Sequence, residues 1–272
     1  MQSVTELAHA KVNLSLHVQG RRLDGYHELS SIVAFADIAD VVTITASGEN
    51  AMLISGPFAG EVPQGENNII WKAYHWLAAR MALPTVQVTL VKNLPVASGI
   101  GGGSADAAAM LRGLLRLLGR TLSEPEIVSL AIELGADVPV CFRGRDCCME
   151  GMGDKISALT IELPPALVLV NSLQPCSTSA VFAKMGLRAG QKFDGGHNLW
   201  RNDMTEAALR VQPAIAHVLT ALEQTKLKPC LMSGSGATCF GLALSFDEAE
   251  IEAKNLKSLH PKWWVKAARI LT

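Results

Sequence analysis

The chain has 272 residues, of which 49% are hydrophobic and 18% are charged, so it can bury a large apolar core without disulfides or metals. Its formal net charge at pH 7 is −1, and this balance gives no indication of a nucleic-acid or anionic-membrane partner. The sequence contains no apolar run near the ~20 residues that span a bilayer and no basic-then-apolar signal pattern. Together these features predict a cytoplasmic protein without a membrane partner.

The first predicted element is a strand at residues 11–18. Apolar side chains alternate there with polar ones, and Lys11 and Asn13 lie on the polar side. This is the pattern of a strand with one buried face and one polar face. The glycine-containing, charged stretch Gly20–His27 follows and predicts a loop rich in turns.

Two further strands and a helix come next. The β-branched runs Val41–Thr45 and Val86–Val91 predict the strands. Between them, Asn67 or Asn68 is placed to cap a helix that continues to about Met81. This half of the chain therefore mixes strands and helices.

The segment Pro95–Asp106 is rich in glycine and leads directly into a helix that ends at Gly119. Four glycines fall within five positions: Gly99, Gly101, Gly102 and Gly103. Glycine leaves backbone N–H groups bare, and a helix N-terminus favours anions, so a strand, loop and helix in this order predict a phosphate-binding loop. The spacing matches neither the Walker pattern nor the dinucleotide fingerprint. The alternative is a flexible connector.

A second helix opens at Ser123 with a capping box completed by Glu126, and Asp137 lies just beyond its end. A carboxylate at this place can accept a proton from a substrate hydroxyl, and Lys11 can act as a point charge beside a hydroxyl or phosphate. Both residues have structural alternatives. Asp137 can be a turn or cap residue, and Lys11 can be an exposed residue at a strand end.

The rest of the chain alternates strands and helices, which predicts an α+β sandwich. The predicted strands are 166–170, 230–232, 239–244 and 264–270, and the predicted helices are 179–185, 203–225 and 247–259. A second glycine-rich turn, Ser233–Thr238, connects two of these strands. We place a domain boundary near residue 160.

The six cysteines of the chain are predicted to be free thiols in a reducing compartment. The sequence contains no Cys-x-x-Cys pair and no zinc-like Cys/His spacing, and a secreted disulfide framework is not expected at this length. Cys176, which precedes a loop-like stretch, is the one alternative as a reactive thiol.

Five segments together resemble the GHMP kinase superfamily, which includes galactokinase, homoserine kinase and mevalonate kinase. Pro95–Ala109 resembles its phosphate loop, and the rest are similar to one branch of it: Ala10–His17, Gly20–Leu29, Leu134–Val140 and Ser233–Thr238. The resemblance implies a two-domain α+β fold. Residues 1–160 would form a ribosomal-protein-S5-like ATP-binding domain, and residues 161–272 a ferredoxin-like α/β sandwich that binds substrate.

The resemblance also implies residue roles. Lys11 and Asp137 match the catalytic lysine and aspartate of the superfamily. The nucleotide-binding set is Pro95, Val96, Ala97, Ser98, Gly99, Ile100, Gly101, Gly102, Gly103, Ser104 and Ala105. The substrate-binding set is Asn13, Tyr26, His27, Thr178, Phe182, Gly234 and Ser235.

In this branch, Tyr26 and Phe182 would stack on the two faces of a cytosine, and His27 would hydrogen-bond to its edge. Each assignment has a structural alternative. Tyr26 and His27 can belong to a packed loop, Phe182 can be a core residue of its helix, and Ser233–Thr238 can be a plain β-turn.

The implied reaction transfers the γ-phosphate of ATP to the 2-hydroxyl of a cytidyl-diphospho alcohol in isoprenoid precursor synthesis. ATP and Mg²⁺ are the expected cofactors; Ser104 could approach the metal, but no fixed protein ligand is assigned. The alternatives are another GHMP kinase, acting on homoserine, a mevalonate-like alcohol or a sugar, and a non-catalytic nucleotide sensor. Neither the oligomeric state nor a role for His197–Asp203 is predicted.

Overall fold

The computed structural model describes residues 2–193, 195 and 199–271. The chain divides into two compact units. The first unit consists of the residues up to Ala10, Ile38–Val96 and Gly101–Gly144, and the second unit consists of Lys11–Asp37, Ala97–Ile100 and the described residues from Arg145 onward. His197 and Asn198, which begin the segment without a predicted role, lie outside the described residues.

The two units interleave along the chain, whereas a single boundary near residue 160 was predicted. The reason is the length of the first two strands, β1 (Ser3–Arg21) and β2 (His27–Ala46). Each strand begins in one unit and ends in the other. The assignment of separate ATP-binding and substrate-binding domains stays a prediction.

In the first unit, the end of β2 pairs antiparallel with β4 (Val86–Val91), and β3 (Ala51–Ser55) pairs parallel with β4. The described helices of this unit are α1 (Ile69–Ala78), α2 (Gly102–Leu118), α3 (Glu124–Glu133) and α4 (Val138–Arg143), with short 3₁₀ turns at Ala59–Glu61 and Gly65–Asn67.

The helix ends of the first unit follow local sequence signals. Asn68 accepts a hydrogen bond from the backbone N–H of Ile70 at 2.9 Å and caps α1. Ser123 and Glu126 form the predicted capping box of α3, and Gly119 takes a left-handed conformation that ends α2. Capping groups satisfy backbone donors and acceptors that a helix leaves open, so these three ends could be predicted from sequence.

In the second unit the strands form an antiparallel sheet in the order β6-β5-β2-β10-β7-β9-β8. The strand bounds are β5 (Cys147–Gly151), β6 (Lys155–Ala158), β7 (Ala166–Asn171), β8 (Cys230–Met232), β9 (Cys239–Ala243) and β10 (Trp264–Leu271). The helix bounds are α5 (Thr178–Met185), α6 (Thr205–Val211), α7 (Ala214–Glu223) and α8 (Phe246–Leu259).

The core of the second unit lies between its sheet and its helices. Strand β7 is buried at every position, and Val168 and Val170 pack in one cluster with Val218 and Leu222 of α7 and Leu256 of α8. This arrangement agrees with the predicted α+β sandwich. In the described part of the chain, no helix is both long enough and apolar enough to cross a bilayer.

Three elements of the structure differ from the sequence predictions. The predicted helix 203–225 is two helices, α6 and α7, because Pro213 has no N–H to donate and stands at the start of α7. The hairpin β5–β6 was not predicted, because β6 is mostly exposed and shows no clear alternation of burial. The short helix α4, which follows Asp137, was not predicted either.

The first strand was wrongly predicted to have one polar, exposed face. Lys11 is 2% exposed, Asn13 1% and Ser15 1%, while Val12 and Leu14 on the other face are fully buried. Both faces of β1 are therefore covered in this stretch. A strand can bury a polar row when its polar groups find hydrogen-bond partners. Lys11 finds one on the same strand, whereas Asn13 and Ser15 find theirs on β2.

Candidate active site

The glycine-rich loop has the backbone geometry that an anion-binding loop needs. Ala97, Gly99 and Gly101 have φ angles of +50°, +77° and +66°. Gly101 is the N-cap of α2 and provides no side-chain cap to the helix. The first N–H groups of α2 are thus not used by a capping side chain, and such groups favour an anion.

The part of the loop in the second unit is held through its carbonyl groups. The acceptors are the oxygens of Ser98, Gly99 and Ile100, and the donors are, in that order, Thr238 N (3.0 Å), Ser233 Oγ (2.9 Å) and Lys11 N (2.9 Å). A flexible connector would not be fixed at three successive residues. The geometry therefore favours a shaped loop over the connector alternative.

The second glycine-rich turn packs directly on this loop. A Cβ added to Gly99 would lie 2.5 Å from the carbonyl oxygen of Ser233, and one added to Gly234 would lie 2.8 Å from the carbonyl oxygen of Gly99. Contacts this short exclude any side chain at either position. The turn Ser233–Thr238 is thus more than a plain connection between β8 and β9, because it sets the position of the loop beside it.

A buried ion cluster in the first unit, which was not predicted from the sequence, holds both ends of the loop. Lys92 Nζ contacts Asp40 Oδ2 at 2.5 Å and Asp106 Oδ2 at 2.6 Å. The other oxygen of Asp40 accepts from the backbone N–H groups of Asn93 and Leu94 at 2.6 and 2.8 Å. Asp40 therefore fixes the chain entering the loop, and Asp106 fixes the first turns of α2.

The cluster places two carboxylates around one ammonium group with almost no solvent. Burial alone would lower the pKa of Lys92, but Asp106 and Asp40 together raise it, so the lysine stays charged. Burial, opposed by Lys92 and assisted by the charge of Asp40, raises the pKa of Asp106 to about 7. One lysine does not fully compensate two buried carboxylates, so the cluster is built to position the loop and helix rather than to add stability.

The lysine that matches the catalytic position is oriented by its neighbours on β1 and β2. Lys11 Nζ donates to Asn13 Oδ1 at 2.9 Å, and Asn13 Nδ2 donates to Ser31 Oγ at 2.8 Å. Ser31 Oγ then donates to the backbone oxygen of Ser15 at 2.6 Å. This chain of hydrogen bonds fixes the ammonium group, so Asn13 is seen here as a partner of Lys11; its predicted contact with substrate stays a prediction.

The second predicted catalytic residue, Asp137, is the N-cap of α4 and is half-buried. Its carboxylate does not cap that helix. Helix α4 is held in the first unit by Arg112 of α2, whose Nη1 donates to the carbonyl oxygen of Cys141 at 2.8 Å. Helix α4 thus fixes the backbone at Asp137, while the Asp137 carboxylate makes no capping hydrogen bond to that helix.

The predicted nucleoside pocket brings His27 and Phe182 together, with ring centroids 4.2 Å apart and an interplanar angle of 21°. Tyr26, which was predicted to stack on the opposite face of a cytosine from Phe182, is 57% exposed, and its role stays a prediction. Nε2 of His27 is buried without a hydrogen-bond partner among the described residues.

Thr178 and Ser235, two members of the predicted substrate-binding set, also lie together. Their hydroxyl oxygens lie 2.7 Å apart, and Phe182 follows Thr178 by one turn of α5. Cys176 Sγ donates to the backbone oxygen of Ser235 at 3.4 Å. Burial raises the pKa of the Cys176 thiol, which argues against its alternative role as a reactive thiolate.

The expectation of Mg²⁺ as a cofactor stays a prediction. Among the described residues, no group of three or more His, Cys, Asp or Glu side chains is arranged to hold a metal ion.

Two family models match the chain: GHMP kinases N terminal domain over residues 68–145 and GHMP kinases C terminal over residues 191–262. Relatives named 4-diphosphocytidyl-2-C-methyl-D-erythritol kinase are 42% identical in Rhodopseudomonas palustris strain BisB5 and 41% identical in Bradyrhizobium diazoefficiens. Each alignment covers 99% of this chain, and covers 100% and 99% of the respective relative. The chain belongs to the GHMP kinase family.

A solved structure supports the same conclusion for the fold. The crystal structure of 4-(cytidine 5'-diphospho)-2C-methyl-D-erythritol kinase is similar to this GHMP kinase, with a TM-score of 0.78 and 30% sequence identity, over 99% of this chain and 100% of the other. The predicted family resemblance and the predicted two-domain α+β fold class are confirmed. The individual site residues stay predictions.

Proposed function

We propose that this GHMP kinase transfers the γ-phosphate of ATP to the 2-hydroxyl of 4-diphosphocytidyl-2-C-methyl-D-erythritol, a step of the non-mevalonate route to isoprenoid precursors. The observation that carries the proposal is the ring pair His27–Phe182, stacked at 4.2 Å beside the hydroxyls of Thr178 and Ser235. A kinase for a simple alcohol such as homoserine needs no such nucleobase pocket. Full-length similarity to relatives of that name supports the same substrate.

The loop Pro95–Ala105 would bind the triphosphate of ATP. Its positive φ angles and the uncapped start of α2 offer backbone N–H groups to phosphate oxygens. Held at its carbonyl side by Ser233, Thr238 and Lys11 N, the loop is already shaped before nucleotide binds. Little ordering entropy is then lost on binding.

Asp137 would accept the proton of the acceptor hydroxyl as that oxygen attacks the γ-phosphorus. Lys11 would stabilise the negative charge that develops during transfer, and Asn13 would keep its ammonium group in place. Bound to the triphosphate, Mg²⁺ would offset the phosphate charge, with Ser104 the loop hydroxyl expected to approach it. In this scheme the protein mainly positions the reacting groups and neutralises the charge on the phosphates, as phosphoryl transfer requires.

The cytosine ring would bind at Phe182 in contact with His27, whose buried Nε2 is available to hydrogen-bond to the base edge. Tyr26 would close over the ligand from the exposed side of the loop. Thr178, Gly234 and Ser235 would contact the rest of the substrate. The six cysteines are all free, which suits our proposal of a reducing, cytoplasmic setting.

Calorimetry with cytidine diphosphate tests the pocket. The wild type should bind it, and a Tyr26→Ala, His27→Ala double variant should bind about tenfold more weakly or worse, because base stacking is worth roughly 1–3 kcal/mol. The matched control is a His260→Ala, Trp263→Ala double variant, which removes another stacked pair of the second unit and should leave the affinity unchanged. Turnover of another alcohol without cytidine diphosphate binding would indicate a different GHMP kinase, and ATP binding without any turnover would indicate a sensor.

A further inference from the structure

Arg21 has no role in the predicted site, and its side chain connects two separate segments of the second unit. Its Nε donates to the carbonyl oxygen of Gly25 at 3.1 Å, and its Nη1 donates to the carbonyl oxygen of Leu187 at 3.1 Å. Its own backbone N–H donates to the carbonyl oxygen of Gln191 at 2.8 Å. One side chain thus ties the end of β1 to the following loop and to the chain after α5.

The two segments that Arg21 connects carry the two stacked rings. Gly25 lies two residues before His27, in a turn closed by a hydrogen bond from Arg22 N to Tyr26 O at 2.8 Å. Leu187 lies just after α5, which carries Phe182. Leu187 is 6% exposed and packs in the same core cluster that Phe182 contacts. A hydrogen bond that fixes the backbone at Leu187 therefore also restrains the end of α5.

An arginine suits this position better than a lysine. Its planar guanidinium donates from nitrogens that point in different directions, so it can serve two carbonyl groups at once. Hydrogen bonds from a charged donor are also stronger than neutral ones. A lysine at the same place would reach one of the two carbonyl groups well and the other poorly.

We infer that Arg21 is a positioning residue of the nucleoside pocket, which sets the spacing between His27 and Phe182 and thereby the affinity for the cytidyl part of the substrate. The inference rests on the proposed function. The neighbouring charge supports it: burial, assisted by the positive charge of Arg21, lowers the pKa of His27. A neutral ring stacks and hydrogen-bonds without carrying a charge into the pocket.

The test compares Arg21→Gln with Arg22→Gln. Arg22 is the adjacent arginine, and its side chain pairs with Asp24 at the exposed tip of the loop. For Arg21→Gln we expect the KM for the cytidyl substrate and the Kd for cytidine diphosphate to rise about tenfold, with kcat within about threefold and the KM for ATP unchanged. Arg22→Gln should match the wild type, and Arg21→Lys should fall between the two.

Three results would overturn the inference: equal kinetics for Arg21→Gln and Arg22→Gln, a loss of kcat at unchanged KM, or full function of Arg21→Lys alongside a misfolded Arg21→Gln. The second result would reflect a smaller folded fraction rather than a displaced pocket. If the wild type turned over no cytidyl substrate, the proposed function would fail, while the Kd for cytidine diphosphate would still decide the role of Arg21.

Discussion

At the scale of single residues, the chemistry is assigned to the carboxylate of Asp137. The Asp137→Asn variant keeps the shape of the side chain and removes its charge, so the fold and ATP binding should persist while turnover drops by roughly 10²–10⁴. Steady-state kinetics with a melting curve checks both parts. Asp247→Asn, at an exposed position in the first turn of α8, is the control and should behave as wild type.

A Lys11→Met, Asp137→Asn double variant tests whether the two residues act together in the same transition state or contribute to turnover independently. Residues that serve the same transition state lose activity non-additively, so the double variant should be little worse than the poorer single variant. Near-normal turnover of Asp137→Asn alone would remove the proposed base.

His27 provides a prediction on pH. Burial, with the positive charge of Arg21 as a second cause, lowers the pKa of its ring from the ordinary value. The folded protein therefore resists protonating this ring at a pH where an unfolded chain, with a histidine pKa of ~6.5, has already taken the proton. This contribution to stability is present above pH ~6.5 and is lost as pH falls towards the folded pKa. An NMR titration should place the midpoint of His27 below ~6.5; a midpoint above that value would contradict the packing described for the ring.

At the scale of elements, the contact between the two glycine-rich turns is testable with a matched pair of glycines. Gly99→Ala puts a Cβ 2.5 Å from the oxygen of Ser233 at a φ of +77°, so it should displace the loop and raise the KM for ATP by about tenfold or more. Gly119→Ala also has a positive φ, but its Cβ would meet nothing within 4 Å. It should cost about 1 kcal/mol of stability and leave the kinetics unchanged. Equal kinetics for both variants would show that the loop tolerates a side chain.

The buried cluster at the ends of the loop should be sensitive to loss of its cation. Lys92→Met leaves two carboxylates facing each other without solvent, which should lower the free energy of unfolding by about 3–5 kcal/mol. Adding Asp106→Asn removes one of the charges and should recover part of this loss. Urea unfolding measures both, with exposed Lys72→Met of α1 as a control expected within about 0.5 kcal/mol of wild type. If the double variant recovered none of the lost free energy of unfolding, repulsion between the Asp106 and Asp40 carboxylates would not be the cause of the loss.

At the scale of the whole molecule, features that depend on neighbouring residues could be predicted from the sequence, whereas contacts between residues far apart along the chain could not. The caps Asn68, Ser123 and Gly119 and the glycine-rich loop that leads into α2 could be predicted, because each depends on residues close in sequence. The buried polar row of β1 could not, because Asn13 is satisfied by Ser31 and by the turn at Ser233, which lie far along the chain.

The Lys92 cluster shows the same limit at the site itself. Asp40, Lys92 and Asp106 are unremarkable singly, and only the fold places them within hydrogen-bond distance. The catalytic roles were available only through the family resemblance.

The most direct measurement of the central claim is ADP release by the purified protein with Mg-ATP and a panel of alcohols. The panel contains 4-diphosphocytidyl-2-C-methyl-D-erythritol, the same alcohol without its cytidyl group, homoserine, mevalonate and galactose. We expect kcat/KM for the first compound to exceed every other by at least about a hundredfold, because only that compound uses the nucleoside pocket as well as the acceptor site. Equal or greater turnover of a compound without cytidine would contradict the account.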